Sequence, residues 1–267
     1  MSFNTLWINS YKSVINLSQD PISGQLTGTY RSTTGGTGTY DVIGWASLND
    51  PDNKAGQTMA ISILWRSNDG GISDPSHEVS GMAGQVVALI PEENIVVMHL
   101  FVETDPSSGM QLGFYPDKLT FIPTKSIQVP DTISTLAELE SMQEDTVSGI
   151  WVGFINGVMI EIELQLCKPG ETRIEGIITY SNTVQYPIAG FTDIFSQTAK
   201  LNLQGITFST YIDEPHGRIC IAMAGYLNLT TNKVTLIQLS AQSTKPDATW
   251  QQVIMEKWDL ERKVELA

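Results

Sequence analysis

Residues able to do acid–base, nucleophilic or metal chemistry are few in this sequence, and they are not arranged to act together. The three histidines, His77, His99 and His216, fall in no metal-type spacing such as His-x-His or His-x-x-x-His. His77-Glu78 reads as a dipeptide on a strand, where neighbouring side chains diverge, so no shared site is expected. Glu161 and Glu163 share one strand face opposite Ile160 and Ile162 and read as a solvated face. There is no Gly-x-Ser-x-Gly element, and Gly35-Gly36-Thr37-Gly38 does not lead from a strand into a helix as a phosphate loop would. Cys167 and Cys220 lie far apart in apolar stretches, where buried free thiols are the simpler expectation; the sequence leaves open whether they pair. No catalytic residue, metal or cofactor is expected. What remains is binding.

The elements that must position a binding site are strands. Nearly every segment alternates with period two and is punctuated by Gly, Pro, Asn and Asp. In the first half, 13–17, 25–29, 40–46, 59–66, 84–89, 95–103 and 118–122 read as strands, separated by clusters such as Ser67-Asn68-Asp69-Gly70-Gly71. A meander of about eight such strands closes most naturally into a barrel. The stretch Asp131–Glu144 has helical character, with Leu136 and Leu139 among acidic residues and Pro130 ahead of it. After it, 158–166, 173–179, 186–193, 201–207, 218–227, 234–242 and 250–257 read as strands again.

The second half repeats the first. Leu6-Trp7 is matched by Ile150-Trp151, Tyr40–Trp45 by Tyr186–Phe191, and Met82-Ala83-Gly84 by Met223-Ala224-Gly225, in the same order. The expected fold is therefore all-β: two tandem antiparallel eight-stranded up-and-down barrels joined by a short helical linker. The divisions fall at 1–126, 127–146 and 147–267. In Ile95–Glu103 both faces are apolar, although a barrel needs only one. The outer face must be covered, by the other barrel as an intrachain pseudo-dimer or by another subunit.

Composition narrows the function classes. The chain of 267 residues is 41% hydrophobic, only 16% charged and carries a formal net charge of −14, which repels phosphate backbones and anionic membranes. No nucleic-acid partner is expected. No stretch approaches the roughly 20 apolar residues of a membrane helix. Met1-Ser2-Phe3-Asn4 opens no signal-peptide pattern, so a soluble chain is expected, cytoplasmic or secreted with its signal removed.

Residues 4 to 122 resemble the avidin and streptavidin family. The residues that carry this are Leu6-Trp7-Ile8-Asn9, then Gly24-Gln25-Leu26-Thr27-Gly28-Thr29-Tyr30-Arg31-Ser32, Gly44, Leu64-Trp65-Arg66-Ser67-Asn68 and Ser80-Gly81. The second half resembles the family through Gly149-Ile150-Trp151 and Ile174-Glu175-Gly176. The resemblance implies a barrel whose mouth closes over biotin. By motif position it makes Asn9, Ser13, Tyr30 and Ser32 donors to a ureido-type oxygen, and Trp65 an aromatic wall.

His99 stands where the family has a second Trp, with Phe101 in the neighbouring inward place. Val79 stands where the family has a Trp in its W-S-G element, and Leu119 where it has the acidic acceptor, with Asp117 close by. The Trp lent by a neighbouring subunit has no counterpart near Gln111. Lost aromatic walls imply weakened biotin affinity, by several kcal/mol of buried contact. Gly153, Gly157 and Ile178 fall at the corresponding positions of the second half, whose pocket has lost most of its donors.

The leading reading is a non-enzymatic protein that binds biotin, or a different carbonyl-bearing molecule, in the first barrel. A lectin-like, defensive or toxin-type protein that recognises a receptor or glycan, and a lipocalin-like barrel enzyme, remain as alternatives. A homo-oligomer is compatible with each.

Overall fold

The computed structural model describes residues 3, 5–34, 37–66, 76–88, 93–105, 110–124, 146–180, 183–196 and 200–263. The helical reading of Asp131–Glu144 lies outside these residues. No helix among them is long and apolar enough to cross a membrane.

The strands are β1 (Leu6–Asn9), β2 (Val14–Gln19), β3 (Gln25–Ser32), β4 (Gly38–Ala46), β5 (Gln57–Leu64), β6 (Val79–Val87), β7 (Asn94–Glu103) and β8 (Gly113–Thr124). They pair in chain order, and β1 closes on β8, with Trp7 opposite Pro123. The second set is β9 (Gly149–Ile155), β10 (Val158–Leu166), β11 (Arg173–Tyr180), β12 (Val184–Thr192), β13 (Leu203–Glu214), β14 (Gly217–Asn228), β15 (Lys233–Ala241) and β16 (Val253–Arg262). It closes likewise, with β9 pairing both β10 and β16. Two tandem eight-stranded antiparallel barrels are therefore present.

Most strands begin or end a few residues from their sequence-based bounds. One assignment changes kind: Trp250 lies in a 3-10 segment, Pro246–Gln251, and is exposed, because β16 begins only at Val253. Pro246 fits the first turn of a helix, where its missing N–H costs nothing.

The duplication is visible rung by rung. Trp7 faces Ile15, which faces Tyr30; Trp151 faces Ile162, which faces Ile178. Leu26 faces Gly44, then Ile61, Met82, His99 and Asp117; Ile174 faces Gly190, then Phe208, Met223, Gln238 and Glu256. The closing rungs, Trp7 to Pro123 and Trp151 to Arg262, complete the same correspondence. All three repeats read from the sequence occupy matched positions. Because a one-residue slip would exchange the two faces of a strand, identical register means that the two lumens can be compared residue by residue.

Each lumen is filled by inward side chains of alternating residues: Trp7, Leu26, Ile61 and Met82 in the first barrel, Trp151, Ile174, Phe208 and Met223 in the second. A third apolar layer lies between the barrels. It joins Ile43, Ala60, Leu64, Val79, Ala83, Leu100 and Val102 to Ala189, Phe191, Cys220, Ala222, Ala224 and Leu239. Burial on both faces follows for β5 and β6, which are buried along their whole length. The outer residues of β7, including Leu100 and Val102, are covered by this layer, as their apolar character requires.

Small residues set the closeness of the contact. A Cβ added at Gly81 would stand 3.3 Å from that of Ala222, and one at Gly205 would stand 2.8 Å from Val79 Cγ1. Polar bonds cross the same layer: Trp45 Nε1 donates to Ser209 O (3.2 Å), Thr207 Oγ1 to Ser80 O (2.9 Å) and Gln252 Nε2 to Val96 O (3.0 Å). Cys167 and Cys220 are free thiols, the latter buried in this layer.

Candidate functional site

The end of β1 builds the first part of the site. A tight turn after Asn9, with Lys12 in the left-handed region at φ 69°, returns the chain into β2. Asn9 Oδ1 accepts the Ser13 backbone N–H at 2.9 Å, which fixes the orientation of the amide. Its Nδ2 is then turned away from the backbone and buried, directed towards the Tyr30 hydroxyl without a well-formed hydrogen bond. The Tyr30 ring is inward on β3, and its hydroxyl lies beside Ser13 and Asn9. Burial pushes the Tyr30 hydroxyl above its ordinary pKa, with those two neighbours opposing, so it stays protonated and able to donate.

Ser32, at the end of β3, is buried but differently engaged. Its hydroxyl donates to Thr34 O at 2.8 Å, so its proton serves the following turn.

The aromatic part centres on Trp65, just beyond β5. Ring centroids lie 4.9 Å away for Tyr40, 5.5 Å for Tyr30, 5.7 Å for Phe101 and 6.3 Å for His99. Trp65 Nε1 donates to Ser80 Oγ at 2.6 Å, and His99 Nε2 lies 3.0 Å from the same oxygen. Burial pushes the His99 pKa down to about 4, with the Asp117 charge opposing, so the ring is neutral near pH 7.

Asn9, Ser13 and Tyr30 thus meet at one corner, Trp65, His99 and Phe101 meet beside it, and Tyr30 touches both groups. Tyr40 and Ser80 belong with them and were read from the sequence only as a repeat and a motif residue. Strand parity was the available signal: Val42 and Met82 point inward, and so must Tyr40 and Ser80, two residues away on β4 and β6.

That parity also corrects two expectations. Val79 packs against the second barrel, not into the lumen, so Ser80 holds the inward place beside Trp65. His77 and Glu78 precede β6 and are both buried. His77 Nδ1 lies 2.6 Å from Asp193 of the second barrel, and the His77 backbone N–H donates to Glu78 Oε2 at 3.0 Å. For His77, burial pulls the pKa down, but the bond to Asp193 and its charge outweigh it. For Glu78, burial pushes it up to about 7.

The model of the Avidin family matches residues 1–87. The first barrel is avidin-like. No curated protein matches the chain. The match spans β1 to β6 of the avidin-like barrel and includes Asn9, Ser13, Tyr30, Ser32 and Trp65, whereas His99 and Phe101 lie beyond it.

The second barrel has the register of the avidin-like one but not its lumen. Asn9 corresponds to Gly153, Ser13 to Ile160, Tyr30 to Ile178, Trp65 to Ile212, Ser80 to Ile221, His99 to Gln238 and Leu119 to Trp258. Gly157, expected at a former polar position, sits in the β9–β10 turn at φ 79°, and Ile160 takes the matched place.

Proposed function

We propose that the protein is a non-enzymatic binder that takes a small ligand with a carbonyl-type acceptor into the lumen of the first barrel. The observation behind this reading is Asn9 Nδ2. A buried donor without a well-formed hydrogen bond costs about 1–3 kcal/mol, and here it lies beside the Tyr30 hydroxyl, a second group able to donate. A ligand oxygen between them would satisfy both, with Trp65 and Phe101 packing against its apolar part. Biotin is the ligand of the resembled family and the first to test. Its affinity is expected to fall below the family's, since Val79 faces away from the lumen and His99 and Leu119 replace the aromatic and acidic residues.

Thermal shift and calorimetry with biotin on the whole chain test this. Saturation at a thousand-fold excess over Kd stabilises the fold by about 4 kcal/mol, and Tyr30→Ala should lose that shift. Absence of any shift would refute the biotin reading and direct the search to other carbonyl-bearing molecules, glycans and protein receptors.

A further inference from the structure

Ser80 is completely buried at the junction of two ring nitrogens. An indole N–H only donates, so one lone pair of Ser80 Oγ is taken by Trp65 at 2.6 Å. The hydroxyl's own hydrogen then needs an acceptor. Among the described residues the acceptor within reach is His99 Nε2, at 3.0 Å. An accepting Nε2 carries no hydrogen, and a neutral imidazole with a bare Nε2 carries its hydrogen on Nδ1. His99 Nδ1 makes no hydrogen bond among the described residues, and the His99 side chain is only partly buried. The charged neighbour across the ladder is Asp117 on β8, whose charge acts on the ring against the effect of burial.

We propose that Ser80 is a positioning residue that holds His99 as its Nδ1–H tautomer, giving the first barrel a donor additional to Asn9 and Tyr30. The acceptor it meets is a second oxygen of the ligand, a carbonyl or carboxylate. This donor stands beside Trp65, as Tyr30 does, but makes no ring contact with Tyr30. A ligand satisfying both therefore carries two separated acceptor oxygens joined by an apolar segment that lies against the indole. The assignment of a ligand to this lumen rests on the proposed function; the tautomer does not.

Long-range ¹H–¹⁵N correlation spectra of the full-length protein at neutral pH read the tautomer directly, with His99→Gln used to assign the signal. The expected result is a pyridine-type Nε2 and a pyrrole-type Nδ1, retained in Ser80→Thr and lost to a mixture in Ser80→Ala. A protonated Nε2 in the unmodified chain would overturn the proposal, as would an unchanged tautomer in Ser80→Ala. With biotin as the probe, Ser80→Ala should weaken binding about ten-fold, the worth of one strong hydrogen bond, and Ser80→Thr should restore it. The spectra need no ligand, so a chain that shows the tautomer but gives no heat with biotin refutes the biotin reading alone.

Discussion

The two lumens are built on one register and hold different chemistry. At matched rungs the first barrel presents Asn9, Tyr30, Ser80 and His99, and the second presents Gly153, Ile178, Ile221 and Gln238. Both close, and both have a Trp at the start, Trp7 and Trp151, buried to about the same extent. Closure therefore requires inward side chains of suitable volume and no particular polar group. Polar residues inside the first barrel are costly to enclose, and closure does not demand those at Asn9, Ser13, Tyr30 and Ser80, since the second barrel has Gly or Ile at each matched place. The second lumen still holds polar atoms, among them the hydroxyl of Tyr180, Oε1 of Gln238 and Nε1 of Trp258, but no counterpart of the Asn9–Tyr30 corner.

The largest test of this contrast compares two tryptophans. Trp65→Ala and Trp258→Ala each remove a buried indole and should each cost about 3–5 kcal/mol in denaturant melts. Only Trp65→Ala should abolish biotin binding by calorimetry; loss in both variants would erase the distinction between the barrels.

A smaller effect comes from acid. The folded pKa of His99, about 4, lies below its ordinary 6.5, so the unfolded chain takes up the proton first. The stability tied to neutral His99 is present above pH 6.5 and is lost as pH falls towards 4. It amounts to on the order of 3 kcal/mol at most. Glu78 works the other way, because its folded pKa of about 7 exceeds the ordinary 4.5, and stability tied to its protonated form is lost as pH rises through that window. The informative quantity is thus the difference between the unmodified chain and His99→Gln, which installs the residue the second barrel has at this rung. His99→Gln melts should lack the acid-side loss; equal slopes for both proteins would contradict the burial of His99.

The smallest expected change in stability comes at the donor corner. Asn9→Ala removes the Oδ1 acceptor of Ser13 N and should cost only about 1 kcal/mol, because its Nδ2 makes no well-formed hydrogen bond. Biotin affinity should fall by more than that cost. A variant that is destabilised yet binds normally would make Asn9 a turn residue only.

Much of this architecture was readable from the chain. Alternation and turn residues located most strands to within a few residues, and the repeats Tyr40–Trp45 and Tyr186–Phe191 proved to lie at matched rungs. The two-sided apolar run in β7 correctly required a cover. What resisted reading was non-local. Gly81 and Ala83 are small because Ala222 and Ala224 lie against them, about 140 residues away in sequence. His77 is held by Asp193, which no spacing within the chain reveals. The motif around Val79-Ser80-Gly81 indicated which residues belonged near the pocket but not which faced it; the ladder with β5 decides that. Trp250 was misread because a bulky aromatic after polar residues resembles a strand start, whereas Pro246 and Asp247 begin a helical turn.

The apolar layer between the barrels has a consequence for how the protein can vary. Two identical subunits meeting about a twofold axis must use one self-complementary patch, so any substitution appears on both sides at once. Here the two sides belong to one chain and differ, with Val79 on one opposite Gly205 on the other. Each side is free to drift separately. The contact is also unimolecular, so dilution does not dissolve it. One half can act as a permanent scaffold while the other keeps, or changes, what it holds.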